Sequence, residues 1–94
     1  MNNKPDSARL ENAGAGTRAV WAGEQVRHPY NATQTPIVVS AAYGYDDIDV
    51  WYDVALGKAP GFIYSRMSNP TVETLEAKIR ELENAESAVA FSSG

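Results

Sequence analysis

The strongest constraint on the fold lies near the C-terminal end of this 94-residue chain, where the spacing of apolar residues changes. One set recurs at intervals of three and four, as on one face of an α-helix: Val72, Leu75, Ile79 and Leu82. The apolar run 88–91 follows and is bounded by Ser-Ser-Gly, which is typical of a buried strand in a parallel sheet. A helix, a strand and a glycine-containing turn in this order predict an α/β fold.

An aromatic hydroxyl and a guanidinium come shortly before that helix. Tyr64 and Arg66 lie in the segment Y-S-R-M-S-N-P-T, residues 64–71, where Asn69 is a typical N-cap and Pro70 a typical first helical residue. A tyrosine hydroxyl and the planar fork of arginine suit an anionic group such as phosphate. On composition alone, a surface arginine and a half-buried tyrosine before an ordinary helix remain the simpler interpretation.

Two further stretches predict short helices. The first is 17–23, with Thr17 as its N-cap and Gly23 just past its end, and it follows a polar stretch predicted to be a mobile tail, residues 1–16. The second is 46–56, which acidic residues open and a glycine closes. The single histidine, His28, lies in a loop beside a proline and is expected to be solvated.

Composition excludes several classes of partner. The net charge is −4 and no cluster of Lys and Arg occurs, so neither nucleic acid nor an anionic membrane surface is an expected partner. Apolar stretches fall far short of the roughly 20 residues that a membrane helix needs. There is no cysteine for a disulfide or a thiolate zinc site, and one histidine cannot build a histidine metal cluster. No secretory signal is visible at the start, which predicts a cytoplasmic location.

The segment 64–71, followed by Leu-Glu at 75–76 and 82–83, resembles the N-terminal signature of the Cys/Met-metabolism pyridoxal-phosphate enzymes. This group contains cystathionine γ-synthase, cystathionine γ-lyase, methionine γ-lyase and O-acylhomoserine sulfhydrylase. Other matching motifs are T-R at 17–18, A-G at 22–23, T-P-I at 35–37 and F-S-S-G at 91–94. Asn84 departs from the family, which usually has Gly there, although Asn also tolerates the left-handed backbone of a helix end.

The resemblance implies a fold-type-I, aspartate aminotransferase-like pyridoxal-phosphate domain. Residues 1–63 would form an N-terminal arm that contributes to the neighbouring subunit. Residues 64–94 would supply the first helix and strand of the large cofactor-binding α/β domain. The chain is therefore expected to be the N-terminal piece of a longer protein, and a naturally short product is the open alternative.

The resemblance also implies which residues bind pyridoxal 5′-phosphate: Tyr64, Arg66, Ser93 and Gly94. Tyr64 and Arg66 would reach the cofactor phosphate in the neighbouring subunit, while the backbone at Gly94, with Ser93 beside it, would cradle the phosphate of its own subunit. Taken alone, Ser-Ser-Gly fits an ordinary loop equally well. Half-sites that serve two different active sites imply a homodimer, which this family commonly pairs into a homotetramer.

The implied function is a transsulfuration-type reaction on a γ-substituted amino acid, either sulfur-containing or homoserine-derived, by γ-elimination or γ-replacement. None of Lys4, Lys58 and Lys78 resembles the Schiff-base segment of the family, so no catalytic residue and no metal ligand is assigned within these 94 residues. Two alternatives stay open. One is a non-catalytic truncated or interaction fragment of this family, and the other is an unrelated small acidic α/β domain in which Y-S-R is incidental.

Overall fold

The computed structural model describes residues 10–24 and 28–94, which form two compact units. One unit combines the described residues before Ile37 with Thr71–Gly94, and the other is Ile37–Pro70. The regular elements include the helices α1 (Ala15–Trp21), α2 (Ile48–Ala55) and α3 (Pro70–Glu83), and a 3₁₀ turn at Pro29–Asn31. Among the described residues, no helix has the length and apolar character needed to cross a membrane.

Helix α1 begins earlier in the chain than the sequence predicted. Gly14 precedes it in an extended conformation, and its carbonyl accepts the N–H of Arg18 at 3.1 Å. The first turn therefore closes on backbone groups, Thr17 lies inside the helix, and the predicted Thr17 cap is wrong. The predicted tail is also too long, because Leu10 is buried, while residues 1–9 of that tail lie outside the described residues. Gly23 follows the helix with φ 77°, as its predicted place beyond the helix end requires.

Helix α3 follows the sequence prediction closely at both ends. It begins at Pro70, the predicted first helical residue, and its last helical residue is Glu83. Asn84 comes next with φ 54°, the left-handed conformation expected of a helix end at this position. The Asn84 side chain also accepts a hydrogen bond from Arg18 Nη1 at 2.9 Å. This contact joins α1 to the end of α3.

The apolar face of α3 exists as predicted, but the described structure leaves it half-exposed. Its four residues have exposed fractions between 41% and 51%: Val72, Leu75, Ile79 and Leu82. The buried apolar residues among those described are Leu10, Ala22 and Val54. No large side chain in the described part of the chain is fully buried. The apolar pattern of α3 thus lacks the covering surface that normally stabilises such a helix.

The predicted buried strand at 88–91 is wrong in this structure. The segment is irregular, and Val89 and Phe91 are 70% and 83% exposed. A strand needs a neighbouring strand for its backbone hydrogen bonds, and none of the described residues pairs with this segment in that way. The N–H of Ala90 donates instead to the Glu76 carboxylate at 2.9 Å. The described elements are consequently helical, without the sheet of an α/β fold.

The Ile37–Pro70 unit combines α2 with a short antiparallel contact. Asp47 is the N-cap of α2 and accepts the N–H of Asp49 at 2.8 Å, and Gly57 follows the helix with φ 76°, in agreement with the predicted short helix. A single antiparallel bridge joins Ala42 to Tyr64. The bridge thus pairs the segment before α2 with the segment between α2 and α3.

Candidate phosphate-binding site

Tyr64 and Arg66 lie side by side on the surface of the Ile37–Pro70 unit. The guanidinium carbon of Arg66 is 5.3 Å from the centre of the Tyr64 ring, which is within the range of a cation–π contact. Both residues are exposed, with 41% of Tyr64 accessible. The structure therefore brings together the first two of the four predicted cofactor-binding residues. This contact uses the guanidinium carbon and the ring, and it does not use the N–H groups of Arg66.

The donors of this pair have no acceptor among the described residues. No carboxylate in that part of the chain forms an ion pair with Arg66, and no described residue hydrogen-bonds the Tyr64 hydroxyl. Arginine offers five N–H donors in a planar fork, and tyrosine adds one O–H on a rigid ring. A phosphate matches such a set because two of its oxygens can accept from the fork together. The residues present therefore fit the phosphate of pyridoxal phosphate.

Backbone hydrogen bonds fix the turn that carries the pair. The carbonyl of Tyr64 accepts the N–H groups of Met67 and Ser68 at 2.9 and 3.2 Å, so Ser65 and Arg66 occupy the centre of a tight turn. Before the turn, the N–H of Ser65 donates to the carbonyl of Ala41 at 2.7 Å. The turn is thus anchored to the preceding chain and leads directly to the start of α3.

The other two predicted cofactor-binding residues, Ser93 and Gly94, belong to the unit that contains Thr71–Gly94. Both are exposed, and neither forms a hydrogen bond with another described residue. A side chain built at Gly94 would meet nothing within 4 Å, so the backbone there is open to approach. In the described structure this segment has no cradle of its own.

A family model described as Cys/Met metabolism PLP-dependent enzyme matches residues 16–94. The chain belongs to this family. Membership implies the fold-type-I domain predicted from the sequence resemblance. It also excludes an unrelated acidic domain in which Y-S-R would be incidental.

Individual relatives agree with this assignment. An O-acetyl-L-homoserine sulfhydrylase of Corynebacterium glutamicum is 38% identical over 97% of this chain. An O-succinylhomoserine sulfhydrylase of Pseudomonas aeruginosa is 39% identical over 90% of it, and an L-methionine gamma-lyase of Pseudomonas deceptionensis is 33% identical over 89%. The aligned part is 21% of each of these proteins. The chain therefore spans about a fifth of the length of the curated relatives it matches.

Pyridoxal-phosphate enzymes of this kind need a lysine amine, and Lys78 has a different role here. Its Nζ donates to the carbonyls of Ala19, Val20 and Ala22 at 3.2, 2.9 and 2.9 Å. These contacts satisfy carbonyls at the C-terminal end of α1, where a positive charge is also favourable. Sequence reasoning placed Lys78 on a polar helix face and missed this capping role. Lys58 lies exposed in its loop, and Lys4 lies outside the described residues.

Sequence reasoning also missed a partly buried polar cluster, here named the Glu24 network, whose members are Glu24, His28, Thr35, Thr74 and Lys78. Glu24 Oε1 accepts the backbone N–H and the hydroxyl of Thr35, each at 2.7 Å, and lies 3.1 Å from His28 Nε2. The Thr35 hydroxyl also contacts that of Thr74 at 2.7 Å. The network therefore ties the chain before Ile37 to α3.

The Glu24 network corrects the expectation that His28 is solvated, because only 7% of His28 is exposed. A carboxylate can only accept, so the contact places the ring proton on Nε2. Burial opposes ionisation of Glu24, but hydrogen bonds from Thr35 and His28 and the charge of Lys78 outweigh it and lower the pKa of the carboxyl. The Nζ of Lys78 lies 3.6 Å from Glu24 Oε2. No local sequence pattern marks this cluster, because its members come from distant parts of the chain.

Proposed function

We propose that this chain is the N-terminal segment of a cytoplasmic, pyridoxal-phosphate-dependent enzyme that acts on a γ-substituted amino acid. The substrate is sulfur-containing or homoserine-derived, and the reaction is γ-elimination or γ-replacement. Family membership supports the cofactor, and the names of the relatives include both gamma-lyases and sulfhydrylases. The structural observation that carries the proposal is the exposed Tyr64–Arg66 pair, whose donors have no acceptor among the described residues.

In this proposal the residues of the chain bind and orient the cofactor through its phosphate. Arg66 holds two phosphate oxygens with its fork, and Tyr64 donates its hydroxyl to the same group. The N–H of Gly94, with Ser93 beside it, contacts the phosphate of a second site. Bound pyridoxal phosphate supplies an electron sink for the reaction at the substrate carbon. The amine that holds the cofactor is expected from a lysine elsewhere in the full-length protein.

The phosphate role is tested by replacing Arg66 in the full-length protein that carries this segment. Hydrogen bonds to charged groups contribute roughly 1.5–3 kcal/mol, so Arg66→Ala should weaken cofactor binding about tenfold or more. Arg66→Lys should restore only part of the affinity, because an ammonium lacks the fork geometry. A dialysis titration followed by cofactor absorbance measures both. Arg80→Ala, which removes a positive charge from α3, is the control, and unchanged affinity in Arg66→Ala would refute the assignment.

The reaction is tested by offering two substrates to the cofactor-loaded full-length protein. Elimination from L-methionine should release methanethiol, a 2-oxo acid and ammonia, whereas O-acetyl-L-homoserine with sulfide should give homocysteine and acetate. Either product supports the proposal, and their ratio identifies the branch. If the protein binds the cofactor and forms neither product, a non-catalytic member of the family is the better description.

We further propose that residues 1–63 are an arm that serves the neighbouring subunit and that residues 64–94 begin the large domain. The smallest competent unit is then a homodimer, and dimers pair into a homotetramer. Mixing an Arg66→Ala variant with a variant of the Schiff-base lysine tests this sharing. A mixed dimer collects both lesions in one site and neither in the other. Activity should return to about a quarter of wild type under random exchange of equal amounts. Demonstrated exchange without recovered activity would refute the arrangement.

A further inference from the structure

Ser65, the residue between Tyr64 and Arg66, is held by a set of hydrogen bonds between uncharged groups. Ser65 is half-buried, whereas its two neighbours are exposed. Its hydroxyl donates to the Ser40 carbonyl and lies 2.9 Å from the Tyr43 hydroxyl and 3.1 Å from Asn69 Nδ2. Asn69 is itself 7% exposed and donates to the Val38 carbonyl at 3.0 Å. We name this group the Ser65 network: the carbonyls of Val38 and Ser40 and the side chains of Tyr43, Ser65 and Asn69.

The chemistry of these groups leaves few other arrangements. Ser65 has a single hydroxyl hydrogen, which is used on the Ser40 carbonyl, so the Tyr43 hydroxyl must donate to Ser65. Asn69 Nδ2 donates to the remaining lone pair of Ser65 and to the Val38 carbonyl. It also lies 3.4 Å from the Tyr43 hydroxyl. The Ser65 hydroxyl thereby uses its donor and both of its acceptor positions.

Because every hydrogen-bonding position of the Ser65 hydroxyl is used, these bonds restrict the motion of the turn. The backbone of Ser65 is fixed by its N–H bond to Ala41 at 2.7 Å, and its side chain is fixed by three further partners. A rotation of the turn that separated Tyr64 from Arg66 would have to break several of these bonds together. The 5.3 Å contact between the two exposed side chains therefore depends on Ser65, which is less exposed than either of them.

We propose that Ser65, Tyr43 and Asn69 are positioning residues that pre-organise Tyr64 and Arg66 for the cofactor phosphate. This inference rests on the proposed phosphate role of Arg66. A ligand that meets an already ordered pair loses less conformational entropy on binding, so the network raises affinity without contacting the phosphate. A purely structural role would instead stabilise the loop and leave the contribution of Arg66 to binding unchanged.

The test uses the full-length protein and pyridoxal phosphate as the probe. Ser65→Ala should raise the dissociation constant about three- to tenfold, the range of one or two neutral hydrogen bonds. It should also shift or broaden the ³¹P resonance of the bound phosphate. Ser68→Ala is the matched control, because the Ser68 side chain forms no hydrogen bond among the described residues. Tyr43→Phe, which removes one donor and keeps the ring, provides a milder second variant if Ser65→Ala folds poorly.

A double-mutant cycle with Arg66→Ala separates this inference from the proposed function. The effect of Ser65→Ala should become smaller when Arg66 is already absent, because only Tyr64 is then left for the network to position. If Arg66→Ala weakens binding but Ser65→Ala and Tyr43→Phe match the Ser68→Ala control, the positioning role is wrong and the phosphate role stands. An equal effect of Ser65→Ala with and without Arg66 would likewise overturn positioning. If Arg66→Ala itself changes nothing, the proposed function of the site fails first.

Discussion

The two compact units are each held by a polar network, and the two networks differ in their use of charge. The Glu24 network joins a carboxylate, a histidine ring and an ammonium, and it connects elements far apart in the sequence. The Ser65 network joins hydroxyls, an amide and carbonyls, and it fixes the geometry of one turn. The comparison indicates that charge fastens the chain before Ile37 to α3, while neutral groups hold the candidate ligand-binding residues.

The largest expected effect concerns the apolar core, which neither polar network can replace. Expressed alone, the 94 residues should show no cooperative unfolding transition. The buried apolar residues among those described are few and mostly small, and the apolar face of α3 is half-exposed. Polar networks alone cannot offset the entropy of ordering a chain of this length. Thermal circular dichroism measures the outcome. A sharp melt with a near-ultraviolet signal would show that the two polar networks can stabilise the chain without an apolar core, and it would contradict this prediction.

The next effect tests how closely α1 and α3 must approach for the charged network to form. Gly23 and Gly57 have nearly equal φ values, 77° and 76°. A side chain at Gly23 would lie 3.0 Å from the Thr74 carbonyl oxygen, whereas at Gly57 it would meet nothing within 4 Å. Gly23→Ala in the full-length protein should destabilise its unit by roughly 2–4 kcal/mol, through backbone strain plus overpacking. Gly57→Ala should show the strain alone, about 1–2 kcal/mol.

Local amide hydrogen exchange of α1 and α2 measures the two substitutions separately, because exchange reports opening segment by segment. Equal losses of protection in the two helices would mean that the close approach at Gly23 carries no energetic weight. The charged network would then tolerate a wider separation than the structure indicates.

Acid should loosen the charged network and leave the neutral one in place. The pKa of Glu24 is lowered from its ordinary value of 4.5. The stability linked to it is therefore fully present above that value and is lost as the pH falls through the lower folded value. Exchange in α1, corrected for intrinsic rates, should rise below about pH 4.5 in the wild-type full-length protein. The Tyr64–Met67 turn should not follow this profile.

Glu24→Gln tests whether Glu24 causes the acid response of α1. The substitution keeps the shape of the side chain and removes its charge, so it should destabilise α1 at neutral pH by roughly 1.5–3 kcal/mol. It should also flatten the acid profile of α1. Glu11→Gln is the control, because the Glu11 side chain is exposed and no partner binds its carboxylate among the described residues. An acid profile that persists in Glu24→Gln would assign the response to another group.

The parts of the structure that could be predicted from sequence are those with local causes. Pro70 and Asn84 mark the ends of α3 by their own backbone preferences, and Tyr64 and Arg66, which lie side by side, are only two positions apart in the sequence. The run 88–91 failed as a strand because strand formation depends on a partner, and none of the described residues supplies one.

The two networks could not be predicted for a related reason. Tyr43 reaches Ser65 from 22 positions away, and Thr74 reaches Thr35 from 39 positions away. Hydroxyl residues at such separations carry no periodic or motif signal. His28 was predicted to be solvated because it lies beside a proline in a loop, and no recognisable sequence pattern marks its contact with Glu24.

The smallest expected effect concerns α2 in the Ile37–Pro70 unit, and it tests whether the charge at the helix cap contributes to the stability of that helix. Asp47 caps α2 by accepting the N–H of Asp49 at 2.8 Å. Asp47→Ala in the full-length protein removes that acceptor and should cost about 1 kcal/mol of α2 stability. Asp47→Asn keeps an amide oxygen at the cap, and Asn and Asp are nearly equivalent there, so α2 should exchange almost as in wild type. Asp46→Ala removes a neighbouring carboxylate that forms no hydrogen bond or ion pair with a described residue, and it serves as the control. If Asp47→Asn opened α2 as much as Asp47→Ala, charge would stabilise this unit too, and the distinction between a charged and a neutral unit would not hold.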